Sequence, residues 1–293
     1  MDLTMIVAGS RSPLMDFTTA KWVGDDDFGP SPIHRLSERG PEQHGDTDRG
    51  YRLDPNVFAL AFVLRGSSAP DLFAKREAFY GLIMPEMVTF ELSEGATVRR
   101  LDCYLASKPK TGSPSRYPAS FAQRIVCEFV AHDPTWYNPD VQTVAFVLGG
   151  SSTDFLTIPM SVPFNVGASE FSGVQSVLYP GTWASSPHII RLVGPISDAV
   201  VLNEATGEKL ALRSGITIAA GDWYDIDPRF GYHTVKDKAG ANKIADLTAD
   251  SDIGTWHLAP APEAPGGYNP IRVTGSGLTT ASGVYINYLV RYN

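Results

Sequence analysis

The chain has 293 residues, 43% of them hydrophobic, and a formal net charge of −8, so it is long enough for two cores and too apolar to be disordered. Cut at residue 148, it carries 15 basic against 19 acidic residues before the cut and 9 against 13 after it, so each half is at −4. Neither half has the basic stripe of a nucleic-acid reader, and no run approaches the ~20 apolar residues of a membrane-spanning helix.

The opening residues, MDLTMIVAGSRSPL, lack the basic start and apolar core of a secretory leader. A soluble protein made in a cytoplasm, with no membrane partner, is the expectation. In chain order, a first strand is predicted at residues 3–7 and a second apolar segment at 17–23. Residues 24–50 (GDDDFGPSPIHRLSERGPEQHGDTDRG) are polar and dense in Gly and Pro. A stretch of that length without periodicity inside a domain reads as a functional arm, or as an ordered loop packed on a neighbour. Residues 51–64 follow as one long predicted strand. Ser68 is placed as a helix N-cap, with Pro70 in the first turn and Asp71 three residues on. Leu72, Phe73, Arg76, Phe79, Tyr80 and Ile83 then recur at helical spacing, which predicts a helix over 69–83.

Strands are predicted at 87–92 and 99–106 about a Glu94-Gly95 turn, and at 121–132, where Asp133-Pro134 stops the run. Cys103 and Cys127 sit in strand-like apolar settings. Their spacing is neither a metal pattern nor a disulfide scaffold, so both are expected to be buried thiols on neighbouring strands. Residues 144–148 and the connector Gly149-Gly150-Ser151-Ser152 mark the expected boundary, giving domains 1–148 and 149–293. In the second, 155–158 leads into Pro159 and Pro163, with further strands at 173–179 and 188–193. From 194 to 235 the chain reads as an antiparallel meander without a crossover helix. Val200-Val201-Leu202 and Lys209-Leu210-Ala211-Leu212 flank an Asn203-to-Glu208 reversal, then come 216–218, 221–227 and 232–235. A strand at 255–258, a soft loop at 259–267 and a last strand at 283–292 complete the chain. The fold class is all-β with one helix, in two β domains, the first carrying the helix on its sheet.

Motifs for known chemistry are sparse. There is no GxSxG elbow, no HExxH and no phosphate-cradling GxxxxGK[ST]. His44, Asp46 and Asp48, the run Asp25-Asp26-Asp27, and Asp246, Asp250 and Asp252 are the candidate hard-cation ligands. Each lacks the remaining oxygens such a cation needs, and neither a metal nor a cofactor is expected. Asp225 and Asp227 share a strand face and are the pair a glycosidase could use, although Asp227-Pro228 equally suits a strand end entering a turn. Trp183, Trp223 and Trp256, with Asn269, offer stacking faces and an amide for a sugar. Tyr224 and Arg272 could assist, and the same aromatics equally suit a β core.

Several segments in fixed order carry a resemblance. They include Gly45 with Gly50-Tyr51, the strand FALAFVLRGS from Phe58, the helix start DLFAKR from Asp71, and FVAHDPTWY from Phe129. In the second half they are IPMSVPF from Ile158, Tyr179-Pro180-Gly181-Thr182-Trp183, the 194–235 meander, WHLAP from Trp256 and GYNPIRV from Gly267. Over nearly the whole chain this resembles the distal tail protein family of long-tailed bacteriophages. The resemblance implies an N-terminal β-sandwich or split-barrel ring domain and a C-terminal galectin-like β-sandwich. It implies a homohexamer at the end of the tail tube, bound to the tube protein, the tail-tip hub protein and, in some phages, receptor-binding proteins, with a channel through which DNA passes without specific binding. It places the protein in the virion, assembled in the host cytoplasm, and not among enzymes. The acidic balance suits such a conduit, since phosphate binding grows with the number of Lys and Arg contacts. The alternative is a carbohydrate-binding module for adhesion to the host surface, and a glycan-cleaving enzyme is the third reading.

Overall fold

A computed structural model describes residues 2–7, 10–13, 20–22, 31–84, 87–112, 121–148, 171–261 and 263–292. The expected segment at 155–158 with Pro159 and Pro163, the connector at 149–152, residues 24–30 of the arm, and with them Asp25-Asp26-Asp27, lie outside the described residues. The chain is all-β with one α-helix among the described residues, and it divides into two units, Met1–Pro139 and Asp140–Tyr292.

In the first unit the strands are β1 (Asp2–Val7), β2 (Ser10–Pro13), β3 (Ala20–Trp22), β4 (Ile33–Glu38), β5 (Thr47–Leu53) and β6 (Asn56–Gly66). The helix α1 (Ala69–Ile83) follows, then β7 (Val88–Glu94), β8 (Thr97–Leu105), β9 (Lys110–Thr111), β10 (Phe121–Ala131) and β11 (Trp136–Tyr137). The main sheet runs in the order β2-β1-β7-β8-β10-β6-β3, an open path rather than a closed barrel. β6 and β10 pair antiparallel over eleven positions, from Phe121 opposite Gly66 to Ala131 opposite Asn56. Alternate residues along both strands point into the core, as period-2 geometry requires. Phe58 therefore lies directly opposite Phe129, and Phe90 from β7 meets Phe129 edge-on at 5.0 Å between centroids. Cys103 and Cys127 are free and buried on β8 and β10, which pair with each other.

α1 begins where the sequence places it. The Ser68 hydroxyl accepts from the Asp71 N–H at 3.3 Å, and the Asp71 carboxylate reaches back to the Ser67 N–H at 2.7 Å, a reciprocal cap. Leu72, Phe79 and Ile83 are its buried face, with Phe79 packed on Phe62 of β6 at 5.2 Å. Phe73, predicted to share that face, is 53% exposed and lies under the Arg76 guanidinium instead.

The long strand predicted at 51–64 is broken. Pro55 has no N–H to give a ladder and biases Asp54 away from a regular path. β5 accordingly turns back on β4 as a separate two-stranded sheet, and β6 starts afresh at Asn56. The arm expected at 24–50 is thus, in its described part, a hairpin.

The second unit is built of β12 (Gln142–Val147), β13 (Phe171–Leu178), β14 (Ile189–Val193), β15 (Ile196–Asn203), β16 (Lys209–Ala211) and β17 (Thr217–Ile218). It continues with β18 (Trp223–Asp227), β19 (Thr234–Asp237), β20 (Tyr268–Ser276) and β21 (Gly283–Tyr288). Two sheets, β12-β21-β14-β18-β19 and β13-β20-β15-β16, share one core that draws Ile190, Leu192, Ile226, Val284 and Ile286 from the first and Val177, Val201, Ile271 and Val273 from the second. β12, read from the sequence as the end of the first half, pairs with β21 along its whole length and belongs to this unit.

The predicted hairpin holds: Val200, Val201 and Leu202 face Ala211, Leu210 and Lys209. Its turn uses Gly207 at φ 76°, and the Asn203 side chain accepts from the Ala205 N–H at 3.0 Å. The meander as a whole is not one sheet, because β15, β16 and β17 lie in one layer and β18 and β19 in the other. Residues 255–258 are a turn ending in a single bridge from Leu258 to Ser185 rather than a strand. The last predicted strand ends at Tyr288, since Leu289 and Val290 are unpaired before the short β22 (Arg291–Tyr292).

Candidate functional site

The hairpin of β4 and β5 is the least self-sufficient element among those described. Every residue of β4 is exposed, and β5 has only Gly50 and Leu53 partly covered. Two strands with no packed face are marginal in water. This pair is held at its base by the Asp54 N–H bond to the Pro32 carbonyl (2.9 Å) and by the buried Ser31, whose hydroxyl donates to the Pro134 carbonyl (3.2 Å). Its charges are largely matched within itself. Arg49 meets Glu38 at 2.6 Å, Arg35 meets Asp48 at 3.3 Å, and Arg52 meets Asp54 at 3.4 Å. Its apolar side chains stay exposed: Ile33 is 55% exposed and Leu36 39%, while Tyr51, 51% exposed, has the Arg35 guanidinium 5.9 Å from its ring centre. Asp48, one of the weighed cation ligands, is therefore an ion-pair and turn residue, accepting also from the Gly50 N–H at 3.0 Å. Asp46 and His44 lie exposed on the connecting turn.

Beside α1 the first unit has an open groove of about 740 Å³. Arg76, Tyr80 and Met84 form one wall, and Leu105, Lys108 and Pro109 of the β8–β9 connection the other. Burial pushes the Tyr80 hydroxyl pKa up, and Arg76 is steadied by the Gln123 side chain at 3.3 Å. The exposed Met84 at the end of the helix leaves apolar surface open there.

The four sugar-contact candidates of the second unit do not converge. Trp256 is fully buried in the core, and Asn269 is fully buried as a clamp, so neither offers anything to a ligand from solvent. The Asn269 oxygen accepts from the Ala259 N–H (2.8 Å) and the Asn203 amide (3.1 Å), while its NH₂ donates to the carbonyls of Ala259 (2.9 Å) and Gly267 (3.1 Å). That set fixes the soft 259–267 loop and corrects the reading of Asn269 as a sugar-contacting amide. Trp183 is half-buried, bridged to Arg291, and its carbonyl accepts from the Tyr179 hydroxyl at 2.6 Å. Gly181 between them is required, since a Cβ there would lie 2.6 Å from the Arg291 carbonyl oxygen. Trp223 is half-buried, with the Arg191 guanidinium and the Lys238 ammonium each 4.9 Å from its ring centre, so cations already occupy its π surface. Tyr224 is buried and donates to Asp246 at 2.8 Å, and Arg272 pairs with Glu204. A polar hollow of about 510 Å³ lies near Trp223, lined by Asp222, Tyr224, Asp237, Lys238 and Lys243.

The carboxylate pair is engaged as well. Asp225 takes a bidentate contact from Arg191 (2.6 and 2.8 Å), and Asp227 one from Arg229 (2.9 and 2.6 Å). Two fork-to-fork ion pairs occupy both carboxylates and leave few of their lone pairs to face a substrate. Asp250 pairs with Lys209, which pulls its pKa down to about 2, and Asp252 accepts from the Lys209 N–H at 2.9 Å. His257, which the sequence does not single out, has the most displaced histidine. Burial disfavours its charge, yet Glu208 at 3.0 Å, the Thr255 carbonyl at 2.8 Å and Glu263 at 3.5 Å outweigh that and push its pKa up to about 9. The imidazolium is a staple between the β15–β16 turn and the 253–264 segment.

The whole arrangement can be set beside known structures. No protein-family model matches the chain, and no curated protein does. A solved structure of the SPP1 Dit (gp 19.1) protein, described as a paradigm of the hub adsorption apparatus in phages infecting Gram-positive bacteria, aligns over 99% of both chains with a TM-score of 0.64 at 14% identity. The chain has the fold of SPP1 Dit. Two chains of the phage P2 baseplate in its activated conformation, one with Ca and one with Sr, align over 98% of this chain and 97% of theirs, at 9 and 10% identity and TM-scores of 0.46 and 0.45. Among the described residues, several from the segments that carry the resemblance are architectural. Gly181, Trp256 and Asn269 serve the core and loop clamps rather than a binding surface.

Proposed function

We propose that the chain is a structural protein of a phage tail: a distal ring adaptor that joins the tail tube to the tip hub, leaves a channel for DNA, and catalyses no reaction. The observation that carries this reading is the likeness to SPP1 Dit over 99% of both chains. The exposed hairpin supports self-assembly, because its exposed Ile33 and Leu36 and its two-stranded sheet, paired with no other strand among the described residues, suit an association surface. The even −4 of each half suits a passage for a polyanion.

Six copies are the expected stoichiometry, with hub and tube proteins as neighbours and the virion as the location. Native mass measurement together with negative-stain images of the purified protein and of virion tails tests this. Hexameric particles with an open centre are the expected result. A protein that stays ring-free in both samples overturns the reading. Saccharide arrays distinguish the adhesion alternative, which now rests on the hollow near Trp223 alone. Hydrolysis of cell-wall fragments, lost on Asp225→Asn, would restore the enzyme.

A further inference from the structure

We infer that the hollow between β17 and the β18–β19 hairpin is a binding site for a neutral saccharide, whose neighbouring hydroxyls seat in the gaps of two open ion pairs. The site lies wholly within the second unit and does not depend on the assembly role proposed above.

Among the described residues, the second unit closes its lysine and arginine ion pairs tightly everywhere but here. Arg191 with Asp225, Arg229 with Asp227, Lys209 with Asp250 and Arg272 with Glu204 all stand at 2.5 or 2.6 Å. Lys238 with Asp222 and Lys243 with Asp237 stand at 3.9 Å, beyond hydrogen-bond reach. Both open pairs border the hollow. The backbone beneath them is fixed. The Asp222 N–H bonds to the Ala219 carbonyl at 3.1 Å, in a turn with Gly221 at φ 79°. One Asp237 oxygen accepts from the Ala239 and Ala241 N–H groups (3.0 and 2.9 Å), which leaves the other facing Lys243. Lys238 is drawn aside from Asp222: its ammonium donates to the Gly221 carbonyl at 2.9 Å and lies 4.9 Å from the Trp223 ring centre. The Asp222 carboxylate and the Lys243 ammonium have no hydrogen-bond partner among the described residues.

Charge and size select the ligand. Two ammonium groups and two carboxylates cancel, so a charged ligand meets repulsion along with attraction. A hydroxyl both donates and accepts. Seated beside an open pair, it takes a hydrogen bond from the ammonium and gives one to the carboxylate, each of them charge-assisted. Two such gaps in one hollow call for two hydroxyls on one molecule. The volume of about 510 Å³ lies within the range of small-ligand sites, about 300–1,000 Å³. The exposed methyl groups of Ala219 and Ala239 give the C–H face of a sugar ring an apolar bed. Trp223 serves this site through Lys238 rather than as a stacking face.

The test titrates the full chain calorimetrically with lactose, maltose, cellobiose and diacetylchitobiose, beside the charged sugars glucuronate and glucosamine. At least one neutral disaccharide should bind saturably, and the charged sugars more weakly. Asp222→Ala and Lys243→Met should each weaken that binding roughly tenfold or more. Lys209→Met, which opens a tight pair outside the hollow, should leave it unchanged. None of the three side chains is buried, and an unchanged thermal melt confirms that the variants fold. Absence of saturable binding by every neutral disaccharide overturns the inference and leaves the ring adaptor standing. Binding that ignores both substitutions in the hollow, or a charged sugar taken in preference, overturns it too. Binding together with rings in the images gives an adaptor that also holds a saccharide, and binding without rings keeps the site and removes the ring.

Discussion

In the second unit the conspicuous polar and aromatic residues turn inward or pair off: Trp256 fills the core, Asn269 and Asn203 clamp loops, and Asp225 and Asp227 are forked onto arginines. In the first unit an entire hairpin, with Ile33, Leu36 and Tyr51, is left outside any core. The residues that the sequence makes conspicuous in the second unit are engaged within it, whereas the first unit carries a hairpin whose Ile33 and Leu36 are exposed. Function in a structural protein is written in the latter kind of surface, while the sequence features that catch the eye can belong entirely to the former.

The contrast is sharpest at Trp256. Replacing Trp256 by Ala should lower the stability of the second unit by about 3–5 kcal/mol. Calorimetry should show one transition moving down while the other stays; if both move together, the units do not stand independently. Asn269→Ala removes a partner from the Ala259 N–H and from three other buried polar groups, and should cost about 2–3 kcal/mol by denaturant unfolding. Wild-type stability on that substitution would return Asn269 to the list of ligand contacts.

His257 gives a pH signature confined to the second unit. Its folded pKa, about 9, lies above the unfolded value of 6.5. The stabilisation is therefore fully present below pH 6.5 and is lost as pH rises through 9, by on the order of 2 kcal/mol. Glu208→Gln should flatten that slope, followed by chemical denaturation at pH 6 and pH 9.5. A slope that survives the substitution assigns it elsewhere. Smallest of all, Ile33→Ser or Leu36→Ser should change the melting of the first unit by no more than about 0.5 kcal/mol, as for other exposed positions, and yet weaken self-association in sedimentation. A large loss of stability instead would mean that the hairpin belongs to the core.

Much of this fold was legible. The cap at Ser68, the helix over Ala69–Ile83, the turn at Gly95 and the Asn203–Gly207 reversal all rest on local chemistry that a sequence carries in a few residues. The misreadings share a cause in the tertiary structure. Pro55 lies inside what looked like one apolar run, and only the pairing partner reveals that β5 and β6 belong to different sheets. β20 runs through Pro270, a residue that argues against an inner strand, and is tolerated between β13 and β15 all the same. At the candidate sites, aromatic and amide residues have the same signature whether they face a sugar or a core.

The strand order of the second unit also constrains how it is made. β21 separates β12 from β14, and β20 separates β13 from β15, so one inner strand of each layer comes from the end of the chain. As the polypeptide leaves the ribosome, β14 can pair with β18 and β15 with β16, but β12 and β13 have no partner strand among the described residues until residues beyond 268 emerge. The first unit, whose own strands end at residue 137, is free to fold during that wait. A nascent chain stalled near residue 260 would then present one finished domain and one unclosed sandwich, exposed to proteolysis and to mispairing with its neighbours on the same message.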